Sequence, residues 1–89
     1  MKIVITIIGK DRVGIVAKVS AVLAEFNVNI LDINQNITHG YFNMVMVSDM
    51  TEATIPLQIL QKNFKELGEE IGVEVKIQHE DIFNIMHRI

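Results

Sequence analysis

The chain contains no cysteine. Disulfides, thiolate metal sites and cysteine nucleophiles are therefore excluded, and the absence fits a cytosolic protein. There is one proline and no low-complexity or linker-like stretch, so nothing in the composition divides the chain. The apolar run in MKIVITIIG is too short for a signal h-region or a membrane span, and no other stretch approaches one. Basic residues are also sparse: eight Lys and Arg lie scattered against eleven Asp and Glu, for a net charge of −3. A phosphate backbone attracts a basic patch, and none is present, so nucleic acid is not the expected partner. Together these absences predict a soluble, intracellular, cytoplasmic protein.

What the chain does have is apolar residues, 49% of its 89 positions. That is enough for a single core, and the expectation is one domain over residues 1–89. Its core covers about 1–79, with a C-terminal helix over about 80–88. At this size burial is only moderate, and an oligomer interface would add to it.

Periodicity gives the elements. Lys2 to Ile8 (KIVITII) is β-branched with apolar residues on both faces, the pattern of a central strand. From about Arg12 to Phe26, Val16, Val19, Leu23 and Phe26 recur at helical spacing, with Asp11 as candidate N-cap and Asn27 as left-handed stop. Ile30 to Thr38 alternates, placing Leu31, Ile33 and Ile37 on one face. His39-Gly40 then turns into Tyr41 to Asp49, so the two strands form a hairpin. Thr54 is the candidate cap of a second helix carrying Leu57, Leu60, Phe64, Leu67 and Ile71, which Gly72 ends. Val73 to Gln78 alternates as an edge strand, and Ile82, Ile85, Met86 and Ile89 would line one face of a short third helix.

The order β-α-β-β-α-β, with two right-handed crossovers on one sheet, predicts an α+β class, ferredoxin-like sandwich with an extra C-terminal helix. Both long helices then cover one sheet face. The apolar residues of the other face need a cover, for which the third helix and a second copy of the chain are the candidates, and a symmetric dimer is expected.

That fold hosts many functions, so function has to come from sites. Gly9 and Gly14 match the start of a phosphate loop, but Ile15 and Val16 stand where Lys and Ser or Thr are required. Nucleotide chemistry therefore lacks its equipment. RNA recognition on this topology needs stacking aromatics on the central strands; the first has none, and adjacent Tyr41 and Phe42 point to opposite faces. Arg12 sits where an acyl-phosphate-cleaving site would need an arginine, without the glycine-rich cradle around it. His39, His79 and His87 have no ligand-like spacing, and Ser20 and Ser48 have no base nearby in pattern. No catalytic set and no metal or cofactor site emerges; a non-enzyme is expected.

The segment G-K-D-R-V-G-I-V-A-K-V-S, followed by A-E-F-N-V-N-I-L-D-I-N-Q, resembles the opening half of an ACT domain. The likeness is to small stand-alone ACT proteins and to the ACT domains of the glycine-cleavage repressor and formyltetrahydrofolate deformylase. Those share D-R-x-G-I-V-A-x-V-S and then N-[IV]-x-D-x-x-Q. The resemblance implies a regulatory module that pairs, often side by side into one continuous sheet. It also implies an amino acid or related ligand near the first strand–helix loop and the start of the second strand, commonly at the interface. Carried over by position, the ligand-binding residues would be Asp11, Arg12, Val13, Gly14 and Ile15 in the loop, with Asn29 and Ile30 before the second strand. Val13 stands where many relatives have proline, which leaves the loop less rigid. With no catalytic or DNA-binding domain attached, a separate protein partner would read the signal.

Several of these residues have plainer readings. Asp11 is explained by capping alone, Arg12 by solvent exposure, and Asn29 by a turn. Gly14, placed in the first helical turn, either makes room for a ligand or partner backbone or relieves helix–strand packing. Gln35 shares parity with the apolar face, which predicts a bulge or a cross-element hydrogen bond. The alternative function is an interaction or assembly module without a small ligand.

Overall fold

The computed structural model describes residues 1–86, with side chains through Asn84. The elements are β1 (Lys2–Lys10), α1 (Ile15–Glu25), β2 (Asn29–Thr38), β3 (Tyr41–Asp49), α2 (Leu57–Ile71), β4 (Val73–His79) and α3 (Glu80–Met86). The strands form one sheet in the order β2-β3-β1-β4, with every neighbouring pair antiparallel. β1 and β3 are central, as their two-sided apolar patterns require. The result is the ferredoxin-like arrangement with a short extra helix.

Register shows which side chains share a face. Ile3, Ile5 and Ile7 lie opposite Ser48, Met46 and Met44 on one side and His79, Ile77 and Val75 on the other. On this face α1 contributes Ile15, Val19 and Leu23, and α2 contributes Leu60, Phe64 and Ile71, all buried. Each such side chain adds on the order of 2 kcal/mol of apolar burial. Val4, Thr6 and Ile8 point to the opposite face. There Val4 is buried where α3 packs against β1 and β4, while Thr6, Val45 and Val47 are half-buried. At the far end Ile8 and Tyr41 remain exposed. Of the expected apolar stripe on α3, Ile82 is exposed, while the Ile85 and Met86 side chains and Ile89 lie outside the described residues, as does His87.

Several local expectations are corrected. Helix α1 starts at Ile15 rather than near Arg12, because its N-cap is Gly14 with φ 89° and ψ 3°, a left-handed conformation that no helical turn contains. Asp11 does not cap it; the Asp11 amide instead donates to the Gly40 carbonyl at 2.9 Å. Thr54 does not cap α2, whose N-cap is Pro56. Both the Thr54 amide and its hydroxyl donate to the Phe26 carbonyl, tying the two helix ends together. Asn27 (φ 57°) and Gly72 (φ 76°) stop their helices as expected. The two-residue turn at His39 and Gly40 has φ 53° and 79°, the left-handed pair that a tight hairpin needs.

Strand β2 departs most from its expected pattern. A bulge between Ile30 and Asp32 takes Leu31 out of register. Ile33, Gln35 and Ile37 then lie opposite Met46, Met44 and Phe42, on the helix side of the sheet but beyond the reach of either long helix. Gln35 is therefore exposed, and its amide is left to water. The bulge that its parity suggested sits four residues earlier.

Candidate functional site

The loop between β1 and α1 is held by two hydrogen bonds of different origin. At its start the Asp11 amide is fixed to Gly40 in the β2–β3 turn. One residue on, Arg12 Nη1 donates to the carbonyl of Ile71, the last residue of α2, at 2.7 Å. The arginine is exposed, as expected, but its guanidinium is not free: through a partly buried hydrogen bond it satisfies an orphan carbonyl at the negative end of a helix. Gly14 then takes its left-handed conformation and α1 begins.

Between this loop and the last turn of α2 lies a cavity of about 160 Å³, lined by Arg12, Val13, Gly14, Ile15, Lys18, Glu70 and Ile71. Its electrostatics follow from the two helices. The amides of Ile15, Val16 and Ala17 have no intrahelical acceptor, and no side chain caps them. The positive end of α1 thus borders the cavity on one side, reinforced by Lys18, whose amide makes the first helical bond, to Gly14. The C-terminal turn of α2 and Glu70 border it on the other. Among the described residues neither Lys18 nor Glu70 is engaged in an ion pair.

Four of the seven expected site residues, Arg12, Val13, Gly14 and Ile15, meet in this cavity. Asp11 adjoins it through the loop backbone. Asn29 and Ile30 do not come near. Asn29 pairs with Asp49, which pairs with Lys2, whereas the loop follows Lys10. The two groups are separated by the length of β1, roughly 26 Å at strand rise. Lys18, Glu70 and Ile71 escaped sequence reading. Lys18 was accessible in principle: once Gly14 is the N-cap, position 18 falls in the first turn. Glu70 and Ile71 reach the loop only through the crossover that returns α2 beside β1.

A larger groove of about 660 Å³ runs between α2 and the outer edge of β4. It is an open trough with exposed charges of both signs, Lys65, Glu69, Glu74 and Lys76, and no expected site residue lines it. Among the described residues no cluster of three or more His, Asp or Glu is arranged to hold a metal ion, and no helix is long and apolar enough to cross a membrane.

A βαββαβ sandwich with a short extra helix defines the class of fold. The chain belongs to the ACT-domain family, whose model matches residues 1–78. More narrowly, it is similar to a UPF0237 protein of Methanocaldococcus jannaschii, with 51% identity over 88 residues, covering 99% of this chain and 98% of that one. Among solved structures it is similar to an ACT domain protein from Streptococcus pneumoniae, with TM-score 0.81 and 38% identity over 93% of both chains. It is also similar to a formyltetrahydrofolate deformylase from Pseudomonas syringae, with TM-score 0.80 and 30% identity. That match covers 88% of this chain but 27% of the larger one. ACT domains are typically regulatory, ligand-binding modules.

Proposed function

We infer that this protein is a non-catalytic regulatory module of the cytoplasm that binds an amino acid or related small zwitterion at a site shared by two copies of the chain. The observation that carries this reading is the cavity where the positive end of α1 faces the negative end of α2. A ligand carboxylate would rest on the free amides of Ile15 to Ala17 beside Lys18, and its ammonium would turn to Glu70 and the α2 carbonyls. Few small molecules other than amino acids offer both charges so close together.

One feature favours a shared site. Strand β2 has a free edge with one charge, Asp32, and exposed Leu31, Ile33 and Ile37, the kind of edge that pairs unless guarded. The other edge, β4, is partly blocked: Gln61 Nε2 donates to the Ile77 carbonyl at 3.0 Å. Two β2 strands joined antiparallel about a two-fold axis would carry Asn29 and Ile30 of one copy to the loop end of its partner. Ligand occupancy would bias the geometry of that dimer, which a separate protein partner would read.

Titration calorimetry against the twenty amino acids tests the reading. Saturable binding by at least one, lost in Lys18→Glu, is expected; silence across the panel would overturn it. A second reading, an assembly module without ligand, draws on Val13, an apolar side chain fully exposed at the loop tip. It predicts instead a stable protein partner that masks Val13.

A further inference from the structure

Arg12 is one of two cations lining the proposed ligand cavity, yet its geometry commits it elsewhere. Its Nη1 lies 2.7 Å from the Ile71 carbonyl, across 59 residues of sequence. The position after Ile71 is Gly72, where an added Cβ would stand 3.3 Å from that same nitrogen. Gly72 is required by its φ of 76°, and the same absence of a Cβ leaves the guanidinium room for close contact with the α2–β4 junction. Gly72 donates its own amide to Gly68 at 2.8 Å, closing the last turn of α2, and Val73 then begins β4 directly opposite Gly9 of β1. Loop, helix end and strand start therefore meet at one side chain.

We propose that Arg12 is a positioning residue, a latch that ties the β1–α1 loop to the C-terminal turn of α2, so that loop and turn loosen or tighten together. The latch holds the cavity open between the two helix ends, since its bond fixes the separation of Gly14 from Ile71. It leaves carboxylate recognition to the α1 amides and Lys18. A ligand that tightens the loop would, through the latch, tighten the junction from which β4 departs. This last step rests on the function proposed above; the latch itself does not.

Amide hydrogen exchange by NMR separates the two. Three amides report: Lys18 (bonded to Gly14) for the loop, Gly72 (bonded to Gly68) for the junction, and Thr54 (bonded to Phe26) as a control at the opposite end of α1. In the ligand-free protein, Arg12→Gln is expected to speed exchange at Lys18 and Gly72 together, by about tenfold for one lost charged hydrogen bond, and to leave Thr54 unchanged. Arg12→Lys, which keeps a cationic donor, is expected to recover most of the protection at both. If Arg12→Gln leaves Gly72 at its wild-type rate, the latch is wrong, whatever binds. For any amino acid that calorimetry shows to bind, saturation should slow Gly72 exchange in the wild type and not in Arg12→Gln. Binding that protects Gly72 equally in both would overturn the coupling. Failure of all twenty to bind would remove the proposed function and leave the ligand-free result to decide the latch.

Discussion

Gly14 shows how conformation and space separate. No atom lies within 4 Å of where its Cβ would be, so the chain itself has room there, and only the φ of 89° demands glycine. Gly14→Ala should therefore fold and lose only about 1–2 kcal/mol in urea unfolding, the strain of a left-handed residue with a side chain. Gly68 is the reverse case. Its backbone is helical, but a Cβ would stand 2.6 Å from the Val73 carbonyl oxygen, a backbone atom that cannot yield without moving β4. Gly68→Ala should cost about 2–3 kcal/mol or more in the same measurement. Ser48 is fully buried between Ile3 and Ile30, and its hydroxyl has no hydrogen-bond partner. Ser48→Ala should be neutral or stabilising by up to about 1 kcal/mol, because it removes a polar group that gained nothing from folding. The sequence pointed to Gly14 but not to its reason: a glycine two residues into an expected helix reads as a packing device until the helix is seen to start after it.

Elements were legible wherever one face is buried against another element. β1, β3 and α2 show their apolar spacing plainly, and their order alone defined the sheet. Caps were less legible, since Asp11 and Thr54 are good cap types whose backbone amides are drawn to Gly40 and Phe26 by contacts far apart in sequence. β2 failed for a physical reason as well: a one-residue bulge at Leu31 reverses the alternation, and no local composition announces it. The turn after β3 carries a pH prediction. The Thr51 hydroxyl at 2.7 Å and its amide at 3.0 Å both donate to Asp49, and the N-terminal ammonium lies at 3.6 Å. These hold the Asp49 carboxyl below its ordinary value of 3.8. A depressed carboxyl contributes stability above its unfolded pKa and loses it as pH falls through the folded one. Thermal unfolding of Asp49→Asn should therefore lie below wild type near neutrality, and the gap should close below about pH 4.

For the molecule as a whole, the two halves of the motif resemblance lie at opposite ends of the sheet. The loop residues and Asn29–Ile30 were placed in one site by likeness alone; within one chain they lie roughly 26 Å apart, and the dimer proposed above would bring them together. Because Ile33 is exposed on the free β2 edge, Ile33→Lys should leave the chain folded while shifting a dimer to monomer in sedimentation at micromolar concentration. Ligand binding should fall with it. The most direct measurement is complementation between two non-binding variants, Lys18→Glu, which damages the loop half, and Asn29→Ala, which damages the β2 half. Mixed through a denatured state and refolded together, they should recover binding at about a quarter of wild-type site number, since half the dimers are mixed and each mixed dimer holds one intact site. Recovery of no binding at all, from variants that each fold and dimerise, would mean that the site lies within one chain and would contradict the shared site.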